Sequence, residues 1–71
     1  MNIVRIGSIV YTKKGKIDCI FTIVSENPDP LSGKITNTSP IGSMLLGKKE
    51  NDRITINTES GIIEYIIYKI K

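Results

Sequence analysis

Isoleucine dominates this chain and limits the folds that it can form. It fills fifteen of the 71 positions, whereas tryptophan is absent and phenylalanine occurs once. β-branched side chains lose rotamer freedom in a helix but pack well on a pleated strand, so a core of this kind favours a sheet. Separate hydrophobic cores arise only in longer chains. We therefore predict one β-rich domain that spans residues 1–71.

The residue types that are missing exclude several kinds of catalytic site. Histidine is absent and Cys19 is the single cysteine, which excludes a zinc site made of these ligands and any catalytic triad with an imidazole base. Cys19 also has no partner for an intrachain disulfide, so we interpret it as a small buried hydrophobe in a reducing, cytoplasmic compartment. We expect no cofactor, no metal ion and no enzymatic activity.

The charge of the chain is mildly basic, at +3 with ten basic residues. These residues are spread along the sequence, and they do not alternate with aromatic residues as they do on base-stacking surfaces. We therefore expect solvated charges and no direct, specific binding of nucleic acid.

No apolar stretch approaches the ~20 residues that span a bilayer, and the N-terminus lacks the pattern of a secretory signal.

The first half of the chain predicts a hairpin followed by a loop. Residues 9–12 and 17–24 are β-rich and flank a short connector that contains Gly15. In the second strand, alternation places Cys19, Phe21 and Ile23 on one face. Residues 25–33 hold two prolines and a glycine, so they form a loop, and residues 34–37 form at most a short strand.

Two acidic residues in this loop, Glu26 and Asp29, are considered as a cation site. A cation such as Ca²⁺ takes about six or more oxygen ligands, and two carboxylates supply too few of them. We therefore interpret both residues as solvated loop acids.

A short helix is predicted over residues 40–46. Ser39 can cap its N-terminus, Pro40 suits the first helical position, and Gly47 can take the left-handed conformation that ends a helix. The i, i+3, i+4 spacing gives the helix one apolar face toward the sheet, and the residues of that face are Ile41, Met44 and Leu45.

The C-terminal part predicts a second hairpin. Residues 53–57 alternate between isoleucine and polar side chains, and residues 59–61 form the turn. Residues 62–70 then form a long central strand. Its alternation predicts one face with Ile63, Tyr65 and Ile67, and another with Ile62, Glu64, Ile66, Tyr68 and Ile70.

These elements together predict an α+β domain. A curved antiparallel sheet of four or five strands carries one short helix on its concave face.

The order of several segments resembles the C-terminal domain of the bacterial Gre (GreA/GreB) transcript-cleavage factors. The resemblance covers nearly all of the chain, from about Val4 to Ile70. The residues that carry it are residues 6–10, residues 21–24 with Glu26 and Asp29, residues 39–49, residues 52–56, and Ser60 and Gly61 with residues 64–67.

This resemblance implies a fold like that of the FK506-binding proteins and a partner, RNA polymerase, bound at the rim of its secondary channel. In the family, a preceding coiled coil carries the acidic residues that hold a catalytic metal. The sequence begins just before the first strand, so we expect the coiled coil to be absent and this chain to lack cleavage activity.

The resemblance also implies the residues that contact the polymerase. They lie where the loop enters the short helix, and they are Thr38, Ser39, Pro40 and Ile41. Some members of the family place an aspartate at the position of Thr38. Helix capping alone also explains Ser39 and Pro40 without a partner.

We expect the chain to be a monomer.

A second interpretation is a minimal peptide-binding or prolyl isomerase domain with the same fold. Active isomerases of that fold use an aromatic-lined pocket, but Tyr65 and Tyr68 lie on opposite faces of one predicted strand and cannot line the same wall. Fold alone does not carry function, so this interpretation is the alternative.

Overall fold

The structure is a computed structural model that describes residues 2–71, and it consists of five strands and one short helix. A 3₁₀ turn, Pro30–Ser32, lies in the loop after the second strand. The elements in chain order are β1 (Ile9–Lys14), β2 (Ile17–Val24), β3 (Lys34–Thr36), α1 (Pro40–Leu45), β4 (Arg53–Thr58) and β5 (Gly61–Ile70).

The strands form one sheet in the order β3-β2-β1-β5-β4. Both predicted hairpins are present as antiparallel pairs, β1 with β2 and β4 with β5. β3, however, runs parallel to β2, so the prediction of a wholly antiparallel sheet is wrong. A two-residue turn joins antiparallel strands only. Here residues 25–33 lie between β2 and β3, so the chain can return past the end of β2 before it pairs in the parallel direction. The sheet is therefore mixed.

The sheet curls around the helix. α1 contacts both β3 and β4, which are the two opposite edges of the sheet, and one short helix reaches both edges only if the sheet is curved. The predicted α+β architecture is therefore confirmed, with five strands. The buried apolar residues between sheet and helix are Val4, Val10, Ile23, Leu45, Ile54, Tyr65, Ile67 and Ile70.

A bulge in β5 changes which residues face the core. The pairing with β1 skips Tyr68, so that Lys69 and Ile67 oppose consecutive residues of β1. An extra residue reverses the alternation of side chains beyond it. Tyr65 and Ile67 share one face, as predicted, and this face is turned toward the core, but Ile70 is also buried. The prediction that Ile70 shares a face with Tyr68 is therefore wrong.

The β1–β2 hairpin is longer than predicted. β1 continues to Lys14, and the turn consists of Gly15 and Lys16, with a positive φ of 62° at Gly15. Thr12 is fully buried, and its hydroxyl donates a 2.6 Å hydrogen bond to the backbone oxygen of Cys19. This bond satisfies a polar group that would otherwise destabilise the core. Cys19 packs against the core, but it is half-buried, whereas the sequence predicts a buried residue.

The N-terminal segment closes the far end of the helix. Val4 donates a backbone hydrogen bond to Lys48 and accepts one from Gly47, both 2.9 Å long. Gly47 has a φ of 81°, the left-handed conformation that the sequence predicts for the end of the helix. The helix itself ends at Leu45, one residue earlier than predicted, because Leu46 has already left helical geometry with a ψ of 132°.

Among the described residues 2–71, no helix is long and apolar enough to cross a membrane.

Candidate functional site

Ser39 organises the loop between β3 and α1. Its Oγ accepts a 3.1 Å hydrogen bond from the backbone N–H of Gly42 and donates a 2.8 Å bond to the backbone oxygen of Thr36. The backbone N–H of Ser39 donates to the same oxygen at 3.1 Å. The N-cap role predicted for Ser39 is therefore confirmed, and the cap ties the start of the helix to the end of β3.

Gly42 allows the helix to lie directly against β3. A Cβ atom at this position would overlap the backbone oxygen of Thr36 and lie 2.8 Å from the Oγ of Ser39. Only glycine permits so close a backbone approach. Gly42 and Leu45 are the two buried residues of α1, so packing at these two positions fixes how the helix presents its other residues.

The four residues that the sequence predicts to bind a partner are divided between surface and interior. Thr38 and Pro40 are exposed, whereas Ser39 and Ile41 are half-buried. Ser39 is occupied by capping, and Ile41 packs against the core. Thr38 and Pro40 are therefore the members of the set that are best placed to contact another molecule.

Two further residues join them on the surface. Ser43 and Met44 lie three and four positions after Pro40, on the same side of the helix, and both are exposed, Met44 to 37 %. The prediction that Met44 faces the sheet is wrong, because the close approach at Gly42 rotates Met44 outward. We call Thr38, Pro40, Ser43 and Met44 the helix-start surface.

The helix-start surface carries no charge. α1 contains no acidic residue in its first turn and no basic residue in its last. In the described part of the chain, no group of three or more histidine, cysteine, aspartate or glutamate residues is arranged to hold a metal ion. Asp29, considered above as a ligand, instead accepts a 2.8 Å hydrogen bond from the Ser32 hydroxyl within its own loop. The helix-start surface is suited to recognition by shape and apolar contact.

The aromatic side chains are divided between the two faces of the sheet. Phe21 and Tyr65 pack edge to face on the core side, with ring centroids 5.6 Å apart. Tyr11 and Tyr68 form a second pair, 6.1 Å apart, and Tyr68 is 43 % exposed while Tyr65 is buried. As the sequence predicts, Tyr65 and Tyr68 lie on opposite faces of β5, so they do not line one pocket. The Phe21 and Tyr65 rings pack against each other and against the core.

On the outer face, Asp18 links Lys13 to Tyr68. Its carboxylate lies 3.0 Å from the Lys13 ammonium and accepts a 3.1 Å hydrogen bond from the Tyr68 hydroxyl. The contact with Lys13 lowers the pKa of the Asp18 carboxyl below its ordinary value, and the hydrogen bond from Tyr68 lowers it further. Partial desolvation, and then the Asp18 carboxylate, raise the pKa of the Tyr68 hydroxyl.

Replacing Lys13 by glutamine should therefore raise the pKa of Asp18, measured by NMR titration of its carboxyl carbon. A carboxyl whose pKa is lower in the folded state stabilises folding above its ordinary pKa, and this contribution is lost as the pH falls through the folded value. Lys13→Gln should then reduce stability slightly at neutral pH, and this difference should disappear once the pH lies well below the folded pKa of Asp18. The effect is small because both side chains are about half exposed. An unchanged Asp18 titration in the variant would contradict the assignment.

Comparison with known proteins identifies relatives that belong to one family. A family model described as the C-terminal part of the transcription elongation factors GreA and GreB matches residues 2–71. The transcription elongation factor GreA of Clostridium acetobutylicum is 42 % identical over 73 residues, which cover 99 % of this chain and 46 % of that protein. GreA of Chloroflexus aggregans is 37 % identical, covering 96 % of this chain and 45 % of that protein. The chain thus spans about half the length of these curated relatives.

Solved structures give the same result. The transcription elongation factor GreA/GreB from Nitrosomonas europaea superposes with a TM-score of 0.84 at 25 % identity, covering 97 % of this chain and 60 % of that one. GreA factor homolog 1 of Thermus thermophilus superposes with a TM-score of 0.85 at 25 % identity, covering 99 % and 49 %. Because the family model matches nearly every residue, the chain belongs to the GreA/GreB family of transcription elongation factors and corresponds to their C-terminal domain.

Proposed function

We propose that this chain is a binding module for RNA polymerase that docks near the secondary channel through the helix-start surface and does not itself cleave RNA. The observation that carries the proposal is the rigid presentation of Thr38 and Pro40. Both are exposed next to a capped helix end, so little conformational entropy is lost when a partner binds them. Relatives that match the chain are named as transcription elongation factors.

The size of the surface sets the expected affinity. One small helix end with its loop can bury less than the roughly 1,200 Å² of a standard stable interface. We therefore expect weak, transient binding. An intact factor, which has a second point of attachment, should bind the polymerase with higher affinity. The uncharged character of the helix-start surface makes this contact insensitive to salt.

The proposal is tested by competition on backtracked elongation complexes. An excess of this chain should reduce the RNA cleavage that an intact Gre factor stimulates, and the chain alone should stimulate none. Cleavage by the chain alone would contradict the proposal, and so would the failure of a folded chain to compete at any concentration.

Pro40→Ala locates the contact. At the first helical position proline contributes rigidity rather than a hydrogen bond, so the variant should fold normally while its half-inhibitory concentration rises by about fivefold or more. Pro28→Ala is the matched control, because Pro28 is an exposed proline in a different loop. If Pro40→Ala competes as well as Pro28→Ala, the docking surface lies elsewhere on the domain.

Thr38→Asp tests the charge at the same site. A negative charge just before a helix N-terminus is compatible with folding, and the family resemblance places an aspartate at this position in some members. We expect Thr38→Asp to strengthen competition. Weaker competition by this variant, with folding unchanged, would mean that Thr38 contacts an apolar or acidic part of the partner.

A further inference from the structure

The outer face of the sheet gathers aromatic and basic residues that are distant in the sequence. The rings of Tyr11 on β1 and Tyr68 on β5 lie side by side, at an interplanar angle of 60°, so neither ring stacks on the other. The bulge in β5 makes this possible. It turns Tyr68 and Lys69 toward the same side, where a regular strand would place them on opposite faces.

Lysine side chains surround the two rings. The ammonium group of Lys13 lies 5.7 Å from the centroid of Tyr68, and those of Lys69 and Lys71 lie 5.7 Å from the centroid of Tyr11. Lys13 is neutralised by Asp18, whereas neither Lys69 nor Lys71 forms an ion pair within residues 2–71. The positive charge that no carboxylate offsets therefore lies beside Tyr11, at Lys69 and Lys71, whereas Asp18 offsets the charge of Lys13 beside Tyr68.

Apolar side chains extend the same surface. Ile20 lies opposite Tyr11 on the neighbouring strand and is 48 % exposed, and Ile66 is 43 % exposed. Ile20 and Ile66 thus add exposed apolar side chains to the face that carries the tyrosines and lysines.

We propose that this tyrosine–lysine face, formed by Tyr11, Lys13, Tyr68, Lys69 and Lys71, binds single-stranded RNA. Two neighbouring tyrosines on the central strands of an open sheet can stack successive bases, and flanking lysines can contact the phosphates. Both kinds of contact are independent of base identity, so binding is sequence-tolerant. The positive charge selects a polyanion over a neutral apolar partner.

RNA is the single strand that a member of a transcription elongation factor family encounters as the product of transcription. The tyrosine–lysine face lies on the side of the sheet away from α1, so it is separate from the helix-start surface. The proposal therefore does not depend on docking to the polymerase, and the two can fail independently.

The test measures fluorescence anisotropy of a labelled, unstructured RNA oligonucleotide titrated with the 71-residue chain. At physiological salt we expect a Kd of about 10⁻⁴–10⁻⁶ M, the range of sequence-independent binding. Tyr68→Ala should raise the Kd by about fivefold or more through loss of one stacked base, and Tyr68→Phe, which keeps the ring, should bind as the parent does. Circular dichroism of each variant verifies that it is folded.

Lysine variants separate this face from general electrostatic attraction. Lys69→Gln should raise the Kd and reduce the slope of log Kd against log salt by about 0.7, the value of one phosphate contact on a single strand. Lys49→Gln is the matched control, because Lys49 is an exposed lysine that pairs with the N-terminal segment. Equal losses in the two variants, or an unchanged Kd in folded Tyr68→Ala, would overturn the proposal.

Two further arms identify the partner. A duplex of the same sequence should bind more weakly, because its bases cannot stack on the tyrosines; equal binding of the duplex would overturn the proposal. Single-stranded DNA should bind within a few fold of RNA, and a marked preference for DNA would overturn the assignment to RNA. If RNA fails to bind and sedimentation shows a dimer that Tyr68→Ala abolishes, the face binds a second copy of the chain instead.

Discussion

Replacement of Gly42 by alanine is expected to destabilise the domain by about 3 kcal/mol or more, at the upper end of the cost of overpacking. A Cβ at this position would overlap the backbone oxygen of Thr36, and it would crowd the Oγ of Ser39. Neither group can move without breaking the cap that joins β3 to the helix. Denaturant unfolding of the variant, monitored by circular dichroism, measures the change.

The sign of this effect discriminates between two principles. Helix propensity alone would make alanine more stable than glycine by about 1 kcal/mol in a helix interior. The neighbouring variant Ser43→Ala is the control, since Ser43 is exposed and its replacement should change stability by less than about 0.5 kcal/mol. A Gly42→Ala variant as stable as the parent would show that the close approach of helix and strand is not needed.

Leu45→Ala should cost about 2–5 kcal/mol, the range for truncating a large buried aliphatic side chain. Leu45 is completely buried, and it belongs to the core cluster between the helix and the sheet. Because Leu45 is the completely buried side chain of α1, its truncation leaves a cavity in the close-packed core between helix and sheet.

Met44→Ala is the matched control for Leu45→Ala. The two residues are adjacent and similar in size, but Met44 is 37 % exposed, so its truncation should cost less than about 1 kcal/mol. Equal costs at the two positions would contradict the orientation of the helix, and they would favour the sequence prediction that both residues face the sheet.

Local signals in the sequence predicted much of this structure. The Ser-Pro start and the glycine after the helix specify its two ends through backbone conformation alone, and Ser39, Pro40 and Gly47 each adopt the predicted role. Alternation likewise located the strands of both hairpins. These features depend on neighbours a few residues away, which is why they can be read without knowledge of the fold.

The features that sequence did not predict depend on distant contacts. The bulge at Tyr68 follows from how β5 pairs with β1, and it changes the face of Ile70. The outward position of Met44 follows from the contact of Gly42 with Thr36, six residues earlier in the chain. No local pattern distinguishes these arrangements from a regular strand and a helix packed by its isoleucine, methionine and leucine face.

The same reason explains why the tyrosine–lysine face was not expected. Tyr11 and Tyr68 are far apart in the chain, and the basic residues are dispersed along it. Pairing of β1 with β5, together with the extra residue, brings them within contact distance. Charge that is spread in the sequence can therefore be concentrated on one face by strand order.

Site-specific photo-crosslinking can locate the polymerase contact. A photoreactive phenylalanine analogue is placed at Thr38 in one sample, at Glu59 in the β4–β5 turn in a second, and at Tyr68 on the outer face in a third; all three positions are exposed. We expect position 38 to crosslink to a subunit of bacterial RNA polymerase, and an excess of an intact Gre factor to abolish that crosslink. Crosslinks from position 59 or 68 without one from position 38 would contradict docking through the helix-start surface.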